Sequence, residues 1–373
     1  MATNIQPGAS GAVDQPGAFG AMDQPGAVRA GEELDVGAVD AFLKGVDPSL
    51  RGTPEIGQYT GGASNLTYRL RYGNRDLILR RPPFGSRGGS AHDMVREAAV
   101  MRALRPVYRH VPRVVAVCED AAVLGAPFCV MERIAGIIAR RDLPAGVVRD
   151  AADTRRLCLN VIDTLIDLHR IEPVAAGLAS LGKGEGYVRR QVEGWQERFR
   201  RARTDDVAGF ADVMAWLVER MPAGEVAIRV VHNDFRFDNV VLDPADPLSV
   251  IGVLDWEMAT LGDPLMDLGG ALAYWVEATD DAGFLALRRQ PTHLPGMLTR
   301  REVVDHYARR TGLPVDGFDF HLVFGLFRLA AIAQQIYRRH TQGHTRDPQF
   351  AAFGAVVNLL ERRCLDTMAG RLF

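Results

Sequence analysis

The sequence predicts an α+β protein of two lobes, a small antiparallel β lobe followed by a larger helical one. Three observations predict it. Alternating apolar residues with tight turns occupy much of residues 55–131. Helical spacing of apolar residues dominates the later chain. Between them in character, short apolar runs ending in acids interrupt the helical part at residues 228–255. With 373 residues, 47% hydrophobic and 24% charged, the chain can bury a core in each lobe. The expected division is a low-complexity leader over 1–34, a first lobe over 35–133 and a second over 134–373.

In the leader, Gln-Pro-Gly-Ala recurs at Gln6, Gln15 and Gln24 in a background that cannot bury a core, so disorder is expected. Asp35 opens an amphipathic helix through Val36, Val39, Phe42 and Leu43. Ile56 and Tyr59 precede Gly61-Gly62-Ala63-Ser64-Asn65, and a strand follows through Leu66, Tyr68 and Leu70. A Gly-rich turn between strands lets backbone amides approach phosphates, although taken alone it is equally an ordinary hairpin. No Gly-Lys-Ser/Thr follows, so it is not a Walker A loop. Gly73-Asn74 turns the chain into Leu77-Ile78-Leu79, which ends at Arg80-Arg81-Pro82-Pro83. A helix is expected from Ser90 to about Leu104, with Met94, Ala98, Met101 and Leu104 on one face. Residues 111–117 and 127–131 complete a five-stranded antiparallel sheet.

The most informative stretch runs from Val230 to Gly269. It reads as strand, polar loop (His232 to Asn239), short strand, Pro-rich turn, strand and then Asp255. An Asp, an Asn five residues on and a second Asp sixteen residues beyond that suit phosphoryl transfer. That reaction asks the protein chiefly for positioning and for charge neutralisation by a divalent ion. Mg²⁺ takes one or two oxygen ligands from the protein, which Asn239 and Asp255 can supply. Asp234 can accept the acceptor hydroxyl's proton, and His232 is expected to pack beneath the loop and bond its backbone. Asp263 and Asp267 read as structural, capping a helix that starts near Pro264.

These segments resemble the aminoglycoside phosphotransferase and choline kinase-like branch of the protein-kinase-like fold, closest to the phosphotransferase domains associated with acyl-CoA dehydrogenases. His232-x-Asp234-x-x-x-x-Asn239 has the spacing of the kinase catalytic loop. Asp255-Trp256-Glu257 stands where the metal-binding Asp-Phe-Gly falls, and Gly262-Asp263-Pro264 through Gly269 looks like the small-molecule kinase signature. The resemblance implies ATP and Mg²⁺ as cofactors, a nucleotide-binding first lobe and an acceptor-binding second lobe. It puts Arg80 in the place of the lysine that grips phosphates; read without it, Arg80-Arg81 is a solvated pair at a strand end. It also implies Glu97 as the partner of Arg80, and a hinge at Met131-Glu132-Arg133 whose backbone holds adenine. The nucleotide site would thus comprise Gly61, Gly62, Ser64, Asn65, Arg80, Glu97 and Met131. An activation segment and Ala-Pro-Glu are missing, which disfavours a protein kinase.

Beyond residue 150, Leu157, Val161, Leu165 and Leu168 form a core stripe, with His169 a helix-terminal or packing residue. The segment Leu181 to Tyr187, with Arg190, Gln191 and Trp195, is also similar to the dehydrogenase-associated domains and is a candidate for the acceptor side. Aromatic residues of the final helices read as core. Net charge is −2, giving no general attraction to nucleic acid or membrane. Cys118, Cys129, Cys158 and Cys364 lack metal-ligand spacing and read as reduced residues of a cytoplasmic protein. No secretory signal is visible, and the longest apolar run, residues 268–276, is too short to span a bilayer. All but Lys44 and Lys183 of the 44 basic residues are arginine, and Arg300, Arg301, Arg309, Arg310, Arg338 and Arg339 suit an acidic hydroxyl acceptor, such as a hydroxyacyl-CoA, better than an aminoglycoside. The alternative expectation is a pseudokinase, a nucleotide- or partner-binding module without turnover.

Overall fold

The computed structural model describes residues 24–59, 65–84, 93–345 and 347–373. Strands β1 (Glu55–Tyr59), β2 (Leu66–Arg71), β3 (Asp76–Arg81), β4 (Val114–Cys118) and β5 (Phe128–Glu132) form an antiparallel sheet in the order β1-β2-β3-β5-β4. Period-two alternation decides what each face receives. In β3, Leu77, Leu79 and Arg81 are buried on one face, and Ile78 and Arg80 fall on the other. The first face is covered by α1 (Val36–Val46), capped by Asp35, with Val39 and Leu43 packed on Tyr68, Leu70, Phe128 and Val130. The second receives α2 (Met94–Leu104), whose Met94, Ala98, Met101 and Leu104 join Cys129 and Met131. That core continues unbroken into the helical part of the chain.

Two expectations are corrected here. The leader is not without structure up to residue 34. Gly26 exchanges backbone hydrogen bonds with Gln58 (2.9 and 3.0 Å), and Glu32 O accepts from the Tyr68 hydroxyl at 2.6 Å. Composition argued correctly that this segment carries no core of its own, but β1 is an edge strand with backbone groups to offer, and the third Gln-Pro-Gly-Ala copy pairs with it. Helix α2 is capped by Asp93, whose Oδ1 accepts from Arg96 N at 2.9 Å, and begins at Met94; the expected start at Ser90 lies outside the described residues.

After α3 (Ala121–Leu124) and β5, the helices are α4 (Ala151–His169), α5 (Tyr187–Ala202), α6 (Ala211–Glu219), α7 (Pro264–Leu272), α8 (Ala282–Leu287), α9 (Arg300–Thr311), α10 (Phe318–Thr341) and α11 (Phe353–Met368). Between α6 and α7, β6 (Arg229–Val231) pairs with β9 (Thr260–Gly262), and β7 (Val240–Leu242) pairs with β8 (Val250–Val253). Strand β9 escaped the sequence reading because three residues with a single large apolar side chain carry no period.

Helix α10 is the centre of the second lobe. Its length and composition would allow a membrane span, yet 67% of its most apolar window is buried in the protein. It crosses α7 backbone to backbone: a Cβ on Gly325 would stand 2.3 Å from Gly269 O, and one on Gly269 2.3 Å from His321 O. Only glycine at both positions permits that approach.

The arginine-rich tail is not a free cationic surface. Arg300 is 3% exposed and grips Asp280 with two nitrogens (2.9 and 2.8 Å), while Arg363 of α11 adds a third bond at 2.7 Å. Arg310 pairs with Asp163 at 3.3 Å. Two of the six arginines offered for an acidic acceptor are therefore internally neutralised. Because Asp280 holds two buried guanidinium groups, Asp280→Ala leaves Arg363 without a carboxylate and Arg300 with Glu277 alone at 3.3 Å, and lowers stability by about 3–5 kcal/mol in urea denaturation; an unchanged urea midpoint would show the triad to be idle.

Candidate active site

Strand β6 delivers the His232–Asn239 loop from a dry interior, since Val230 and Val231 are fully buried and paired to β9. His232, fully buried, donates from Nε2 to Leu254 O at 2.9 Å, so its Nδ1 is free to accept from Asp234 N at 3.2 Å. A single neutral tautomer satisfies both bonds. Asp267 of α7 accepts from His232 N (2.6 Å) and Asn233 N (2.7 Å) and contacts His169 Nε2 at 3.1 Å, whose other nitrogen meets the Tyr307 hydroxyl at 2.9 Å. Burial pushes the Asp267 carboxyl up, but His169 and His232 outweigh it and hold it below the ordinary value. Asn233 takes the left-handed conformation (φ 66°), which asparagine tolerates better than most side chains. Its amide accepts from the Tyr187 hydroxyl at 2.7 Å and donates to Met258 O at 3.0 Å. The segment after Leu181 thus has a structural role that its sequence did not disclose: Tyr187 fixes the residue that aims Asp234.

Asp234 accepts from Asn239 Nδ2 at 3.1 Å and from Arg236 Nη2 at 3.3 Å, and Asn239 Nδ2 also caps Asp234 O at 2.8 Å. Burial raises the Asp234 carboxyl above the ordinary aspartate value, Arg236 opposes this, and Asp255 adds to it. With its amide nitrogen so engaged, Asn239 keeps its side-chain oxygen as an acceptor. Its backbone oxygen accepts from Leu254 N at 2.8 Å, locking the catalytic loop to the end of β8, where Asp255 stands at φ 66°.

Arg80 meets this hairpin from the sheet. Its Nη1 bonds Glu97, and its Nη2 donates to Asp255 Oδ1 at 2.9 Å and to Glu257 Oε2 at 3.4 Å. Asn65, at the start of β2, also donates to Glu257 Oε2, at 2.7 Å. Three carboxylates therefore share one guanidinium. Burial alone disfavours the charge on Arg80, but Glu97 and Asp255 hold it firmly protonated. Glu97 is 1% exposed, and burial, with Asp255 adding, raises it to about 7 despite Arg80. Asp255 is pushed up by burial yet ends below its ordinary value, chiefly through Arg80.

Arg80, Glu97, Asp234, Asn239 and Asp255 are thus brought together. Gly61, Gly62 and Ser64 lie outside the described residues, while Asn65 is buried at the junction with Glu257. Met131 is buried at the end of β5, paired with Ile78 and Val114. The following amides, Glu132 N and Arg133 N, already donate to Arg113 O (2.9 Å) and Asp76 O (3.0 Å), so a base must find its hinge donors elsewhere. The sequence reading missed Glu257, Tyr187 and Arg236 as contributors. An acid two residues after Asp255 and a cation two after Asp234 were visible, but without geometry each is an ordinary surface charge.

The oxygen donors fit Mg²⁺. Among the described residues no group of three or more His, Cys, Asp or Glu is arranged to hold a metal. The available set is Asp255 and Asn239, the sparse oxygen donation that Mg²⁺ accepts, beside a cluster whose carboxylates outnumber its guanidinium. Glu97 Oε2 is buried without a hydrogen-bond partner, an indication of that imbalance. Glu97 yields a pH test. Its native pKa, about 7, exceeds the ordinary 4.5, so its contribution favours folding below pH 4.5 and is lost as pH rises through 7. Glu97→Gln should therefore flatten the pH dependence of stability across that window in thermal melts; an identical profile in both proteins would refute the raised value.

The profile described as "Phosphotransferase enzyme family" matches residues 55–303. Acyl-CoA dehydrogenase family member 10 of Mus musculus is 34% identical over 309 residues, covering 82% of this chain and 28% of that protein. Acyl-CoA dehydrogenase family member 11 of Homo sapiens is 31% identical over 363 residues, covering 95% and 44%. The chain therefore spans less than half the length of these relatives. A solved structure from Ralstonia eutropha, assigned provisionally as an aminoglycoside phosphotransferase, has a TM-score of 0.76 at 27% identity and covers 91% of this chain and 99% of its own. Choline kinase from Cryptosporidium parvum has a TM-score of 0.59 at 11% identity, covering 89% and 96%, a likeness of fold alone. Aminoglycoside phosphotransferase APH(4)-Ia, in complex with AMP-PNP and hygromycin B, has a TM-score of 0.55 at 15% identity, covering 89% and 99%. The chain belongs to the phosphotransferase enzyme family and has its protein-kinase-like fold.

Proposed function

We propose that this protein is a Mg²⁺-ATP-dependent kinase of a small-molecule hydroxyl. The observation that carries the reading is the bridge from Arg80 to both Glu97 and Asp255, set beside the bonded pair Asp234–Asn239. Asp234 orients the acceptor hydroxyl and takes its proton, a task helped by a carboxyl raised above the ordinary value. Arg80, steadied by Glu97, binds phosphate as a fork where a lysine would bind as a point charge. Asp255 and Asn239 would hold Mg²⁺, which neutralises phosphate charge when bound. His232, Asp267 and Tyr187 keep Asp234 in place through their bonds to the Asp234 amide and to Asn233.

For the acceptor, a hydroxyacyl-CoA or another acidic metabolite remains our reading, supported by the similarity to acyl-CoA dehydrogenase family members. Arg300 and Arg310 do not serve this acceptor, since both are internally paired. One observation favours the pseudokinase instead: Arg80 engages the very carboxylate, Asp255, that the metal needs.

Calorimetric titration separates the two. Binding of ATP should require Mg²⁺ and weaken at least on the order of tenfold in Asp255→Ala. Binding indifferent to both changes would remove Asp255 from the metal site and leave the pseudokinase. For turnover, Asp234→Asn should retain ATP binding while phosphoryl transfer falls on the order of a hundredfold or more; undiminished transfer would exclude Asp234 as the base.

A further inference from the structure

The α7–α10 crossing sets up a second feature near Asp234. With Gly269 and Gly325 in backbone contact, Arg328, one turn further along α10, comes beside Gly270. A Cβ on Gly270 would meet Arg328 Nη1 at 3.4 Å and nothing else within 4 Å, so the space over Gly270 is bounded by this guanidinium. From α5, the Trp195 ring lies 5.4 Å from Arg328 Cζ, and Arg198 adds a second cation 4.8 Å from the same ring. Arg328 is also near enough to Asp234, Tyr187 and Tyr274 for its charge to lower the pKa of each.

Arg328 differs from the buried arginines around it in having no carboxylate partner among the described residues. Arg80, Arg236, Arg300 and Arg363 all hold carboxylates. Arg328 is half-buried and has neither an ion pair nor a hydrogen bond among the described residues. A partly desolvated guanidinium that stacks on an aromatic ring and keeps its forked donors open is suited to a carboxylate or phosphate.

We propose that Arg328 is a specificity residue for the acceptor, receiving an anionic group, carboxylate or phosphate, on the molecule whose hydroxyl Asp234 orients. This rests on the kinase reading of the site and deepens it. The anion lies against Arg328 over Gly270, and the hydroxyl end of the same molecule reaches Asp234.

Trp195 provides a reporter. In fluorotryptophan-labelled full-length protein, the Trp195 resonance is assigned with Trp195→Phe and titrated with two matched pairs, a hydroxycarboxylic acid against its amide and glycerol 3-phosphate against glycerol. Each titration is run with and without Mg²⁺ and AMP-PNP. The resonance should shift saturably with at least one anionic member and with neither neutral one, and which anion acts identifies carboxylate or phosphate as the group. Arg328→Gln should weaken that binding about tenfold or more, Arg328→Lys less. Gly270→Val, which fills the space against Arg328 Nη1, should weaken it as well. Equal shifts from charged and neutral members, no shift from any, or unchanged binding in Arg328→Gln would each overturn the proposal. Failure of AMP-PNP to bind would instead count against the kinase reading, because the Trp195 titration without nucleotide still reports on Arg328.

Discussion

The site depends on one guanidinium shared among three carboxylates. Arg80 leaves the sheet on the face opposite Leu77 and Leu79, and there it meets Glu97 from α2 together with Asp255 and Glu257 from the loop after β8. One side chain therefore joins strand β3, helix α2 and the loop after β8. A buried ion pair contributes little net stability, but removing one member of such a set leaves uncompensated charge. Here the imbalance already exists, with Glu97 driven toward neutrality at about 7, and the surplus of negative charge is what a site for cationic Mg²⁺ requires.

The opposite design serves the catalytic loop. Asp267, fully enclosed, is matched donor for donor by two backbone amides and by His169, itself held by Tyr307. Its charge is stabilised, so it does not compete with the chemistry, and the turn at Asn233 is fixed from both sides by Asp267 and Tyr187. The two aspartates thus differ by environment: Asp267 is satisfied and structural, whereas the Asp234 carboxyl is raised above the ordinary value.

Much of this was legible in the sequence because it follows local rules. Alternation put Leu77 and Leu79 opposite Arg80, the Asp263-Pro264 pair announced the start of α7, and the spacing of Asp234, Asn239 and Asp255 announced the hairpin between them. What stayed hidden needed distance in space. Nothing at Tyr187 indicates that its hydroxyl reaches Asn233, nor at Glu257 that it meets both Arg80 and Asn65. Charge counting misled for the same reason, since Arg300 and Arg328 are indistinguishable as letters while one is bound to Asp280 and the other has no partner among the described residues. Likewise the repeat around Gln24 looked inert until an edge strand was present to pair with it.

The decisive geometry is where nucleotide phosphates settle relative to Arg80. A crystal structure of the protein with Mg²⁺ and AMP-PNP measures this directly. The account predicts phosphate oxygens within hydrogen-bond distance of Arg80, with Arg80 still on Glu97 and the metal bound by Asp255 and Asn239. Nucleotide bound elsewhere, or bound with Arg80 and Asp255 still paired and no metal at Asp255, would contradict it.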